Sequence, residues 1–364
     1  MKATQQLHDL GQRIWLDNIT RELLTGGTLQ RYIDEFSVTG LTSNPTIFHN
    51  ALKNSRVYDA AVRQKSLAGK SAEEIFMELA VEDITRAADL FRPVHDASEG
   101  IEGWVSLEVP PSLAQDTAGT IKAALQLHAQ VDRPNLLIKI PGTNAGLDAI
   151  EEAIFAAVPV NVTLLFSREQ YIAAAEAYMR GIERRIAAGR DARVASVASL
   201  FVSRWDVAVK DKVGDKLRNR LGIAISMRTY KAYCELLASP RWQRLQAAGA
   251  RPQRLLWAST GTKDPAAAET LYVDALAAPR TINTLPDKTL LAFAKEGGIQ
   301  SVLSPDGGDA EKWLAEFSDA GVDIDRLAAE LQRDGTATFA KSWDELMTLV
   351  SSKIEVFAKE NKQS

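Results

Sequence analysis

One lysine stands among apolar residues in Leu137-Ile138-Lys139-Ile140-Pro141, where a charged ammonium is expensive to keep. Two readings fit it. Either it is paired with a buried carboxylate or its head escapes at a strand end, or it is an amine desolvated so that it attacks a carbonyl. With the ordinary pKa near 10.4, about one such amine in a thousand is neutral at pH 7.4, and burial raises that fraction. Glu108 ends the apolar run Trp104-Val105-Ser106-Leu107 just before Val109-Pro110-Pro111. It is a salt-bridged terminus, or the acid/base that moves protons as a carbinolamine loses water. Asp17, after the run at 13–16, is a second acid/base or a helix N-cap. Asn44 precedes Pro45, where an asparagine shapes a turn or offers its amide. Asn161 and Thr163 lie in one further apolar run and Ser199 ends another.

These groups do chemistry together only if the chain brings them to one place. Candidate strands at 13–16, 38–42, 103–109, 136–140, 158–164, 193–199 and 254–258 alternate with amphipathic helical stretches, and a weaker strand lies near 280–283. The strands mostly lack polar alternation, as expected when both faces are buried. Ser71 with Glu74 and Ser167 with Gln170 have capping-box spacing. Apolar stripes after Thr143 and Ser167 are core faces of helices. Eight such units close a barrel, in which polar residues at the strand ends converge on one face. A doubly wound open sheet satisfies the same alternation. From Asp309 the pattern is helical, with breaks expected at Gly321 and Asp334-Gly335. On the barrel reading, the organisation expected is a single domain over 1–364, with a core at 1–300 and a helical extension at 301–364.

The chain has 364 residues, 46% apolar and 25% charged, with a net charge of −4. That balance gives no electrostatic footprint for nucleic acid or a membrane surface. Its one cysteine, Cys234, closes no intrachain disulfide and fits a cytoplasmic location. The most apolar stretch, 153–166, carries Pro159 and Asn161 and is short of the ~20 residues that span a bilayer. MKATQQLHDLGQR lacks the apolar core of a signal peptide. The four histidines make no HExxH pair, so no metal site is expected. Gly69-Lys70-Ser71 is read as a loop ending in a helix cap, because the upstream P-loop glycine position holds Gln64. No dinucleotide fingerprint and no hydrolase serine elbow is present. The chemistry then falls to side chains, with no cofactor.

Taken as a set, GLTSNPTIF (40–48), SLEVPP (106–111), LLIKIPGT (136–143), VNVTLLFS (160–167), SVASLFVSRWD (196–206) and WASTGTKDP (257–265) resemble the transaldolase family. The likeness is to its longer, stand-alone bacterial branch. TINTLPDKTL at 281–290 and the helical C-terminal stretch are similar to that branch too. The resemblance implies an α/β fold, a (β/α)8 TIM barrel of the class I aldolase type. It implies transfer of dihydroxyacetone from sedoheptulose 7-phosphate or fructose 6-phosphate to glyceraldehyde 3-phosphate or erythrose 4-phosphate, a step of the pentose phosphate pathway, in a monomer or homodimer. By motif, Lys139 resembles the Schiff-base lysine. Glu108 and Thr163 resemble the pair that holds the catalytic water, and Asp17 the base of carbon–carbon cleavage. Asn44 and Ser199, with Asn161 beside them, resemble the groups on the dihydroxyacetone hydroxyls. Arg204, Ser259 and Lys263 match the phosphate region. Arg204 is expected to open the helix after the sixth strand, an anion-binding position. Shorter members have an arginine close after the serine, whereas here Thr260-Gly261-Thr262 precede Lys263, and lysine lacks bidentate contact. Fructose-6-phosphate aldolases resemble the chain as well, but carry tyrosine at the position of Glu108 and are usually much shorter. A barrel that binds phosphosugars without turnover is the third possibility.

Overall fold

The computed structural model describes residues 2–363. Eight strands follow in order: β1 (Arg13–Leu16), β2 (Val38–Leu41), β3 (Trp104–Glu108), β4 (Leu136–Pro141), β5 (Val160–Leu165), β6 (Ser196–Phe201), β7 (Arg254–Ala258) and β8 (Ile282–Leu285). Each pairs in parallel with the next. β8 returns to β1 in continuous register, Arg13 opposite Ile282 through Leu16 opposite Leu285. The sheet is therefore a closed barrel, and the open-sheet alternative is excluded. Nearly every strand residue is buried, because one face meets the surrounding helices and the other fills the barrel.

Along β1 the inward face carries Arg13, Trp15 and Asp17, spaced by the two-residue period. Trp15 lies inside the barrel below the C-terminal strand ends, opposite Gly40, where a Cβ would meet the indole at 2.6 Å. Arg13 and Arg254 share the buried carboxylate of Glu102 at the other mouth, at 3.1 and 2.7 Å.

The helix starts follow local rules. Ser71 and Glu74 form the full capping box, each side chain meeting the other's backbone N–H. Ser167 caps its helix through Gln170 N, but Gln170 Oε1 accepts from Phe166 N, so that box is shifted by one residue. Lys70, in the stretch that resembled a phosphate loop, pairs with Glu78.

One expectation is corrected. The break at Asp334-Gly335 does not occur, and one helix runs from Ile324 to Gln363. Glycine signals a helix end and a close contact equally well; here it is the contact, since a Cβ at 335 would meet Leu164 Cδ2 at 2.9 Å. This long helix lies against β5 and the helices Pro45–Asn54, Asp59–Leu67 and Ala72–Ala97. Phe76 meets Trp343 edge to face at 5.3 Å, Thr46 bonds Ser342 at 2.8 Å, and Lys353 pairs with Asp59 at 2.5 Å.

Candidate active site

The register of β3 on β4 sets Glu108 opposite Lys139. Their charged ends lie 3.2 Å apart, with both side chains about 5% exposed. Lys139 Nζ donates to Ser43 O at 2.9 Å, so the contact with Glu108 Oε2 is ionic without a well-directed hydrogen bond. Burial pushes the Glu108 carboxyl up, with Lys139 pulling it back and Asp17 adding to the rise. A carboxyl that holds its proton above the ordinary range is suited to give and retrieve one beside an amine.

Asp17 continues β1, its N–H donating to Leu285 O at 2.8 Å. It caps no helix, because Thr20 takes that role for Arg21–Thr25. Its carboxylate instead accepts from Thr42 Oγ1 at 2.7 Å, and Thr42 is linked at 2.7 Å to Thr284. Asp17 faces a cavity yet is enclosed deeply enough that burial pushes its carboxyl up, against the lowering pull of Lys139, Thr42 and Lys263. Asn44 does cap: its Oδ1 accepts from Ile47 N at 3.0 Å, with Pro45 in the first helical turn. The Nδ2 donors are left for the cavity that Asn44 lines.

Ser199 Oγ donates to Asn161 Oδ1 at 2.7 Å, and Asn161 Nδ2 donates to Ser106 Oγ at 3.1 Å. β6 extends to Phe201, so Ser199 lies within the strand and Phe201 shares its inward face. Between Val162 and Leu165 the register of β5 on β6 shifts, and Leu164 takes a left-handed φ of 59°. A branched side chain there costs of order 1–3 kcal/mol. Thr163, just before it, is wholly buried and its Oγ1 has no hydrogen-bond partner.

Asp17, Asn44, Lys139, Thr163, Ser199, Arg204, Ser259 and Lys263 line one cavity of about 200 Å³ at the C-terminal ends of the strands. Glu108 and Asn161 sit behind its wall, bonded or paired to lining residues. All ten expected residues thus converge. Arg204 does follow β6 in the short helix Ser203–Val209, where two of the nearby amides, Val202 N and Ser203 N, are bonded to Ala258 O and Ser259 O. Its guanidinium reaches the cavity. Among the described residues no carboxylate lies within ion-pair distance of it, and burial lowers its pKa, with Asp334 opposing. Neither Asp206 nor Glu235 pairs with it. Asp206 accepts from Tyr272 OH at 2.8 Å and Leu221 N at 2.9 Å, and burial pushes its carboxyl up to about 6. Glu235 lies 4.0 Å from Lys231. Ser259 holds a left-handed φ of 56°, and Thr260 Oγ1 donates to Thr284 O at 2.9 Å, which folds the longer loop back so that Lys263 reaches the cavity.

Sequence reasoning missed several cavity residues: Thr42, Phe201, Thr284 and Phe339. Phe201 was within reach, being two residues beyond Ser199 on an inward face. Phe339 was not, since an apolar residue on an amphipathic helix looks the same whether it faces core or cavity. Among the described residues no group of three or more His, Cys, Asp or Glu is arranged to hold a metal ion. No helix among them is long and apolar enough to cross a membrane.

The model of the family described as transaldolase/fructose-6-phosphate aldolase matches residues 14–350. The chain belongs to that family. The matched span holds β2 to β8, all of β1 but its first residue, and much of the long C-terminal helix, so the similarity covers the whole cavity. The transaldolase of Saccharopolyspora erythraea is 44% identical over 358 residues, 96% of this chain and 97% of the relative. That of Thiobacillus denitrificans is also 44% identical, over 96% of this chain and all of its own length. A protein named transaldolase 2 from Nostoc sp. is 38% identical over 97% of this chain and 98% of its own.

Proposed function

We propose that the protein is a transaldolase that moves a dihydroxyacetone unit between sugar phosphates through an imine on Lys139. The observation that carries the reading is the buried Lys139–Glu108 pair opening on a cavity whose other side bears an unpaired guanidinium. Lys139 Nζ attacks the donor ketone, and the carbinolamine loses water with protons passed by Glu108 and with Thr163 holding the water. Asp17 then takes the proton of the hydroxyl on the far carbon of the scissile bond, whose oxygen becomes the aldehyde oxygen. That bond breaks, its electron pair flows to the iminium nitrogen to leave an enamine, and an aldehyde phosphate departs. A second aldehyde takes its place, the steps run backwards, and hydrolysis frees Lys139. Asn44, Ser199 and Asn161 hold the hydroxyls of the three-carbon unit. Arg204, Ser259 and Lys263 anchor the phosphate, whose binding energy positions the reacting carbons. Sedoheptulose 7-phosphate or fructose 6-phosphate is the donor, and glyceraldehyde 3-phosphate or erythrose 4-phosphate the acceptor. The chain works as one barrel unit, with 301–364 laid on a core of 1–300, in the cytoplasm, as a monomer or homodimer.

Borohydride reduction in the presence of fructose 6-phosphate tests this reading. It should leave a three-carbon adduct on Lys139 alone, and none in Lys139→Met. Steady-state turnover should require an aldose phosphate acceptor. An adduct on another lysine refutes the assignment, and free dihydroxyacetone released without acceptor makes the protein an aldolase.

A further inference from the structure

Gln332 lies where the Ile324–Gln363 helix passes the ends of β4 and β5. Its Nε2 donates to two carbonyls at once, Gly142 O and Leu164 O, each at 3.0 Å. A third bond, Gly142 N to Thr163 O at 2.8 Å, lies between them. Thr163 is therefore held at its own carbonyl by one strand end, and the next carbonyl along is held by the helix. One turn further on, Gly335 receives the Leu164 side chain closely enough that a Cβ would meet it at 2.9 Å. The helix thus grips Leu164 by backbone and side chain, at the residue whose φ is left-handed. Such a conformation persists only where its surroundings over-determine it. Gln332 itself does not line the cavity.

We propose that Gln332 is a positioning residue, whose amide fixes the turn at Leu164 and so aims Thr163 Oγ1 at the water exchanged when the Lys139 imine forms and hydrolyses. The proposal rests on the role given to Thr163 above. Only a group with two N–H bonds on one atom serves both carbonyls, so methionine keeps the size and removes the function, and glutamate turns a charge on the two oxygens.

The test is rapid-quench borohydride trapping with fructose 6-phosphate in wild type, Gln332→Met, Thr163→Ala and the double variant. Gln332→Met should slow imine formation roughly ten- to a hundred-fold, with the half-saturating concentration of the sugar phosphate unchanged. The double variant should be no slower than Thr163→Ala, since residues acting through one group do not add. A residue that merely stabilised the fold would slow both backgrounds by the same factor. Gln332→Glu carries the same comparison if the methionine variant does not fold. Wild-type imine formation in either Gln332 variant, or an equal further loss on top of Thr163→Ala, overturns the proposal alone. Unchanged imine formation in Thr163→Ala overturns the reading of Thr163, and the proposal with it.

Discussion

Arg204→Ala separates substrate binding from folding. The guanidinium is partly desolvated at the cavity wall, and the carboxylate that most affects it, Asp334, is exposed. Removing the arginine leaves no buried charge without a partner, so the folded state loses little and its Tm should hold or rise slightly. The substrate, by contrast, loses a charge-assisted contact in a shielded site. Such a contact is worth about 1.5–3 kcal/mol, or roughly 10- to 150-fold in affinity. The assay is the concentration of donor that half-saturates the borohydride-trapped imine, which needs no phosphorylated acceptor to compete for the same anchor. For fructose 6-phosphate this concentration should rise by the stated factor, and for unphosphorylated fructose it should stay nearly unchanged. Lys263→Ala should show a smaller loss with the same selectivity, as a single point charge on a longer loop. Equal losses on both sugars would show that Arg204 supports the fold and that the anchor lies elsewhere.

The two acids should divide the cycle. Asp17→Asn should form the imine and fail to cleave, so that reduction recovers the intact ketose on Lys139, while Glu108→Gln should slow imine formation itself; the same species trapped at the same rate from both refutes the division. Because burial raises the Asp17 carboxyl, the acid limb of kcat/KM should lie above pH 4, where an ordinary aspartate would place it. Asp206 titrates near 6 in the folded chain against about 4 unfolded, so the folded state binds more protons between those values and stability falls as pH rises through them. Asp206→Asn should remove that slope and be more stable than wild type at pH 7.5 by about 1–3 kcal/mol in urea unfolding, and a less stable variant refutes the reasoning.

Lys139 and Glu108 stood out in the sequence because a charge inside an apolar strand is an anomaly wherever the strand goes. The helices were equally legible where a side chain bonds its own backbone, as at Ser71. Closure of the barrel was not. It depends on β8 meeting β1, and Ile-Asn-Thr-Leu is too short and too polar to announce a buried strand. The aim of Thr163 was hidden for a related reason. Leu164 adopts its left-handed turn without glycine or asparagine, and the bonds that hold it come from Gln332, 168 positions away. Local pattern carries no trace of a constraint so remote. Arg204 stands in the helix after β6, and the amides of Val202 and Ser203 beside it are bonded to the end of β7 and the residue that follows it, which strand–helix spacing does not reveal.

The crossing of the long helix over β4 and β5 also sets an order in time. Gln332 and Phe339 are added to the growing chain nearly 50 residues or more after Leu285 ends the last strand. At 5–20 residues per second that is an interval of about 2–10 s. During it the emerging polypeptide already contains the amine, both acids and the arginine, while the segment that pins Leu164 has yet to be made. The reacting side chains are thus synthesised before the segment that pins Leu164. Ribosome stalling past β8 would yield a product with every reacting side chain and a slack turn at its centre.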